Sequence, residues 1–197
     1  AGEQQGCTLA DILLGKVNPS GKLNVSFPRS TGNTPCFYNH FVTDREESFD
    51  QPGTPEEPKG HYIFDKPEPL WNFGHGKSYT TFDYVDCALS DTLLVASDTL
   101  KVSVTIKNTG RRDGKEVVQL YVRDKVSTVA TPIQQLKAFQ KVLIKPGESQ
   151  CVELSLPIAE LALYNAKMEE VVEPGDFEIQ IGAASDDIRF KKTITIN

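Results

Sequence analysis

No stretch of this chain approaches the roughly 20 apolar residues that a membrane-spanning helix needs. No spanning helix and no membrane partner are expected. Clustered cations are also missing: 21 Lys and Arg stand against 27 Asp and Glu, for a net charge of -6. Neutralising nucleic-acid phosphates takes the opposite balance, so no nucleic-acid partner is expected either. The four cysteines, Cys7, Cys36, Cys87 and Cys151, include no CxxC pair, which argues against zinc and redox motifs. His40, His61 and His75 lack the HxxxH spacing of a metal site. Gly74 and Gly76 are followed by Lys77-Ser78, but no third glycine and no helix start complete a phosphate loop. The chain opens on Ala1-Gly2-Glu3 without a basic or apolar leader, which says nothing about export. An even cysteine count permits two disulfides, while buried free thiols in apolar positions are the simpler expectation.

What is present suffices for one substantial core, or one core with a partial second unit: 197 residues, 39% of them hydrophobic. Residues 1–30 read as helix, turn and strand. Leu9, Ile12 and Leu13 have helical spacing, and Gly15 is placed to end the helix in a left-handed conformation. Asn18-Pro19-Ser20-Gly21 suits a type I turn. Leu23, Val25 and Phe27 alternate as one face of a short strand. One helix and one strand cannot bury their own apolar faces, so this segment reads as the end of a larger α/β domain.

Residues 31–72 read as a long connecting strap. Few aliphatics and many Pro, Gly, Asp and Glu predict loop, and Phe37, Tyr38, Phe41, Tyr62, Phe64 and Trp71 are expected to anchor it. Residues 73–197 read as a mainly β unit. Leu100, Val102, Val104 and Ile106 alternate with polar neighbours, as do Val118, Leu120 and Val122. Further strands are expected at 136–144, 150–156, 177–181 and 188–196. Turns are expected at Ser90-Asp91, at Lys145-Pro146-Gly147-Glu148 and at Glu173-Pro174-Gly175-Asp176, and one helical turn at 157–161. Seven or eight short strands at this spacing predict an immunoglobulin-like β-sandwich.

Three blocks carry more than a fold class. The first is Gly15-Lys16-Val17-Asn18-Pro19-Ser20-Gly21-Lys22-Leu23 with Phe27-Pro28-Arg29. The second is Trp71-Asn72-Phe73-Gly74-His75-Gly76-Lys77-Ser78-Tyr79-Thr80-Thr81-Phe82. The third runs from Lys107-Asn108-Thr109-Gly110 through Glu116 to Val122. In this order and spacing they resemble the C-terminal part of glycoside hydrolase family 3, the β-glucosidase family, over nearly the whole chain. The resemblance implies a fibronectin type III-like module at 73–197, the end of an α/β sandwich domain at 1–30, and upstream catalytic domains as partners. It further implies a β-glycoside substrate for the parent protein, hydrolysis with retention, no cofactor, and a periplasmic or secreted setting. The departures are local: Asn24 for proline, Ser26 for threonine, Trp71-Asn72 for Tyr-Pro, His75 and Lys77 for Tyr and Leu, and Asp44 for the glycine of a Gly-Arg pair.

A retaining glycosidase needs two carboxyl groups roughly 5–5.5 Å apart. In the family, the aspartate nucleophile belongs to an N-terminal barrel and the glutamate acid/base to the second domain, before the Gly2-Glu3-Gln4-Gln5-Gly6 stretch. Neither surrounding is present here. Catalytic, cofactor-binding and metal-ligating residues are accordingly all read as none, and the chain alone is expected to be inactive. Glu3, just before a helix, is explained by the helix dipole. Asp44, Arg45, Glu46, Glu47 and Asp50 read as a solvated run. Tyr121 and Tyr164 are the sandwich aromatics a sugar could stack on, though packing explains strand aromatics more often. Two other classes of function stand beside the glycosidase reading. A carbohydrate-binding module would show an exposed aromatic row on one sheet, and neither it nor a free-standing protein-interaction module would need half an α/β unit.

Overall fold

The computed structural model describes residues 2–41, 54–56, 66 and 68–197. The expectations for Tyr62, Phe64, His61 and the Asp44–Asp50 charge run lie outside the described residues.

A nine-residue helix, α1 (Gln5–Leu13), opens the chain. It ends as Gly15 foretells. Gly15 takes φ +71°, its N–H donates to Ile12 O at 2.9 Å, and Lys16 N–H donates to Asp11 O at 2.8 Å. These two bonds make a Schellman cap, which satisfies carbonyls that the helix end would otherwise orphan.

Ten strands follow: β1 (Phe82–Leu89), β2 (Leu93–Leu94), β3 (Thr99–Asn108), β4 (Gly114–Asp124), β5 (Gln135–Ile144), β6 (Ser149–Pro157), β7 (Leu163–Tyr164), β8 (Glu170–Val171), β9 (Gly175–Ala184) and β10 (Asp187–Ile196). β1, β3 and β6 form one sheet, and β2, β10, β9, β4 and β5 form the other, with β7 and β8 as a small hairpin. All the long pairings are antiparallel, while β2 runs parallel to β10. The fold is therefore mainly β, a two-sheet sandwich preceded by one helix.

Period-2 alternation builds the core. Leu100, Val102, Val104 and Ile106 on β3 face Val118, Leu120 and Val122 on β4, together with Val152, Leu154, Leu156, Ile179, Ile181 and Ile194, all buried. The Lys145–Glu148 turn forms as expected, with Glu148 N–H donating to Lys145 O at 3.0 Å and Gly147 at φ +76°. Pro at the second position and Gly at the third match a type II turn. The expected helical turn is a 3₁₀ segment, Ile158–Leu161.

Four local expectations need correction. Leu23–Phe27 is not a ladder strand: it bends at Asn24 and Val25 and makes one isolated bridge, Phe27 to Trp71. Leu23 and Phe27 exchange backbone hydrogen bonds with residues 70–75, and Val25 and Phe27 remain 55% and 42% exposed. Among the described residues, that face meets only the Trp71 ring, edge-on to Phe27. Asn18–Gly21 forms no regular turn, because the Asn18 side chain is drawn to partners far along the chain instead. At 173–176 the chain passes directly into β9, and the Glu173 carboxylate accepts the Thr128 N–H at 2.9 Å. The cysteines are free, but only Cys87 is buried; Cys36 is half-buried, and Cys7 and Cys151 are exposed. Cys7 sits on a helix with no buried residue, and Cys151 alternates with core residues on β6, so neither has an apolar site to enter.

Burial pushes the Cys87 and Cys36 thiols up, away from the reactive thiolate. Disulfide-exchange labelling of the native chain, read by mass, is expected to modify Cys7 and Cys151 first and Cys36 slowly. Cys87 should react only on unfolding, and fast labelling of Cys87 would contradict the β1 assignment.

Candidate functional site

The three sequence blocks meet at one place, the joint between the helical segment and the sandwich. Asn18 is at its centre. Its Oδ1 accepts the Tyr79 backbone N–H at 2.8 Å and the Ser78 hydroxyl at 3.0 Å, and its Nδ2 donates to Asp113 O at 2.9 Å. Around it, the Tyr79 hydroxyl donates to Ile12 O at 2.8 Å and Arg112 donates to Gly15 O at 2.7 Å. The Arg112 guanidinium also lies 5.9 Å from the Tyr79 ring centre.

Asn108 organises the sandwich side of the joint. Its Nδ2 donates to Arg112 O and Ile144 O, both at 2.8 Å, while its Oδ1 accepts Thr80 Oγ1 at 2.6 Å and Gly110 N–H at 3.0 Å. A fully buried amide must have such partners, and this one has four. Side chains at Gly110 or Gly114 would overlap Thr80, so both glycines serve close approach.

Glu116 is the one buried carboxylate among the described residues. It pairs with Lys22 at 3.1 Å and accepts the Tyr84 hydroxyl at 3.3 Å. Burial, then the charge of Glu116, drives the Tyr84 phenol well above its ordinary range. Glu116 thus holds both Lys22 and Tyr84 through Oε1. Glu3 lies in the exposed turn ahead of α1. His40 places Nδ1 3.1 Å from Phe41 O, and the His75 carbonyl accepts the Leu23 N–H. No cluster of three or more His, Cys, Asp or Glu that could hold a metal occurs among the described residues.

A second contact fastens the strap. Tyr38 stacks on Phe73 with ring centres 4.2 Å apart and meets Tyr121 edge-on at 6.0 Å. Its hydroxyl accepts the Leu136 N–H at 3.2 Å, beside the irregularity where Leu120 pairs with Ala138 but Tyr121 with Leu136. Beneath, the Tyr121 hydroxyl donates to Gln119 Oε1 at 2.6 Å, and Gln119 Nε2 donates to Ala183 O at 2.5 Å. Tyr38, Phe73 and Trp71 (paired with Phe27) make contacts as anchors should. Phe37 and Phe41 are 64% and 54% exposed. Neighbouring side chains leave the backbone in different directions, and Tyr38 takes the sheet side. Tyr121 is wholly buried, so it packs and offers no sugar platform, whereas Tyr164 is exposed on β7.

The third feature is an apolar surface. Helix α1 has no buried residue, and Leu13 and Leu14 are each 72% exposed. Leu9 is also exposed on α1, and Val25, Phe27 and Trp71 are exposed on the paired segments 23–27 and 70–75.

Sequence reasoning missed Asn18, Glu116 and Gln119 as organisers. The signal available was their membership of the three motif blocks. Nothing in local periodicity sets a buried Gln or Glu apart from a solvated one.

Residues 1–79 match the family model described as the glycosyl hydrolase family 3 C-terminal domain, and residues 116–185 match the fibronectin type III-like domain. A periplasmic beta-glucosidase of Salmonella typhimurium is 40% identical over 188 residues, 94% of this chain and 24% of that protein. A beta-xylosidase of Formosa agariphila is 40% identical over 190 residues, 95% of this chain and 25% of that protein. The crystal structure of a beta-glucosidase from Listeria innocua in complex with glucose superimposes with a TM-score of 0.83 at 38% identity. It covers 98% of this chain and 26% of that one. The chain thus spans about a quarter of the length of the relatives it matches. Motif blocks, sandwich topology and matched domains agree, and the chain belongs to glycoside hydrolase family 3, of which it carries the C-terminal domain match and the fibronectin type III-like module.

Proposed function

We propose that this chain works as the C-terminal part of a retaining β-glycosidase acting on β-linked glucose or xylose, and that its own task is to brace the catalytic domains. In this reading residues 1–30 complete an upstream α/β domain, residues 31–72 strap it down, and residues 73–197 form the bracing module. The observation that carries it is helix α1, whose leucines face solvent although its end is properly capped and pinned to the sandwich. A helix held in place with an open apolar face is half of an interface.

The chemistry fits the same division. An oxocarbenium-like transition state requires two carboxyl groups held about one sugar. Rate enhancements of about 10⁶-fold or more require those groups to be fixed in a formed pocket. The one buried carboxylate described here holds Lys22 and Tyr84.

The test is release of nitrophenol from an aryl β-glucoside and an aryl β-xyloside. The chain alone is expected to show none above background, and co-production with the upstream part of its parent protein is expected to give turnover. Leu13→Asp with Leu14→Asp should abolish that rescue. Turnover by the chain alone that vanishes in Glu3→Gln would overturn the proposal.

A further inference from the structure

Between residues 12 and 22, every hydrogen bond or ion pair that crosses to residues 78–116 among the described residues is made through a side chain. The backbone bonds of Leu14, Gly15, Lys16 and Val17 all return to α1. The crossing contacts are those of Asn18, the Tyr79 hydroxyl, Arg112 and the Lys22–Glu116 pair. Backbone pairing across the joint begins only at Leu23, which exchanges bonds with Gly74 and His75, so the stretch between α1 and Leu23 has no ladder to stiffen it. Over that stretch, side chains decide whether the joint is stiff.

From this geometry we propose that Asn18 is a positioning residue that turns a potential hinge into a rigid joint, fixing the direction in which α1 presents its open face. Among the crossing side chains, Asn18 alone bonds to two separate segments of the sandwich side. Its oxygen is held by residues 78–79 and its nitrogen by the loop carbonyl of Asp113. Three of its four hydrogen-bonding positions are used across the joint, which fixes the amide plane. Lys22–Glu116, with side chains 16% and 7% exposed, closes one flank, and Arg112 on Gly15 O closes the other. The importance of that rigidity to activity rests on the proposal that catalytic domains sit on α1; the rigidity itself does not.

The two exposed thiols stand on opposite sides of the joint, Cys7 on α1 and Cys151 on β6. Nitroxide labels on both, with Cys36→Ser to silence the half-buried thiol, report the helix-to-sandwich distance by pulsed dipolar spectroscopy. The unaltered joint should give one narrow distribution. Asn18→Ala should at least double its width while Cys87 stays protected from labelling, showing an intact sandwich. Asn18→Asp, which keeps the acceptor and loses the donor to Asp113, should fall between. An unchanged width in Asn18→Ala with Cys87 protected would overturn the proposal, even if the variant melted earlier. Should Asn18→Ala expose Cys87, the pair Tyr79→Phe with Arg112→Ala decides by the same criterion: broadening supports a side-chain lock, and an unchanged width overturns it. Because the chain is measured alone, the result is independent of whether upstream domains dock on α1.

Discussion

Replacing Leu120 with alanine is expected to cost about 2–5 kcal/mol, measured as a fall in the midpoint of urea unfolding at unchanged slope. Leu120 is wholly buried on β4, the strand flanked by β9 and β5, where its register partners are Ile181 and Ala138. A central strand pinned on both edges cannot move in to fill the space left by the missing methyl groups, so transfer and cavity costs add. Against a total stability of about 5–15 kcal/mol for a domain, this is a large fraction. A loss below about 0.5 kcal/mol would mean that the inward face of β4 has been assigned to the wrong residues.

Gly74→Ala is expected to cost about 3 kcal/mol or more, through two separable causes. Gly74 holds φ +81°, a conformation that costs a residue with a Cβ about 1–2 kcal/mol. A methyl group there would also overlap the Gln119 side-chain oxygen and come within 3.0 Å of Ala184 Cα. Gln119 would have to leave the Tyr121 hydroxyl and the Ala183 carbonyl, and each buried polar group left without a partner costs about 1–3 kcal/mol. Gly147→Ala is the control. That glycine has φ +76° with open space around its would-be Cβ, so it reports backbone strain alone. The difference between the two variants in urea unfolding measures the Gln119 network, and equal costs would show that the network contributes nothing. Near-ultraviolet circular dichroism should change only in Gly74→Ala, as Tyr38, Phe73 and Tyr121 lose their packing.

The sandwich was legible because its strands obey a rule that needs only neighbours: Val102, Val104 and Ile106 alternate with polar residues, and one face is buried. The outer face of β4 broke that rule. Gln119 and Tyr121 read as outward residues, yet both are buried, because the strap brings Tyr38 and Phe73 over them from far along the chain. Periodicity records which face a residue shares and cannot record what later covers it. Leu23, Val25 and Phe27 failed in the opposite direction. Their pattern suits a buried strand, but the described part of the molecule supplies only the 70–75 segment on one edge. The joint was visible as motif and hidden as mechanism: Asn18, Asn108 and Glu116 could be quoted from the sequence, but their shared location depends on the fold.

The position of β10 has a consequence for the order in which the module can be completed during synthesis. β10 is an interior strand: β9 lies on one side, and on the other is β2, whose only strand partner among the described residues is β10. Leu93 and Leu94 pair with Thr195 and Ile196, and Ile194 and Ile196 fill the core. While residues 187–196 are still inside a translating ribosome, β2 has no neighbour and the apolar inner surface of β9 lacks its lid. The three-stranded sheet and the β4–β5 hairpin can form early, since their partners are already outside. Closure of the sandwich has to wait for the final strand, so a nascent chain stalled or clipped before residue 187 would present an open, apolar half-sandwich to chaperones and proteases.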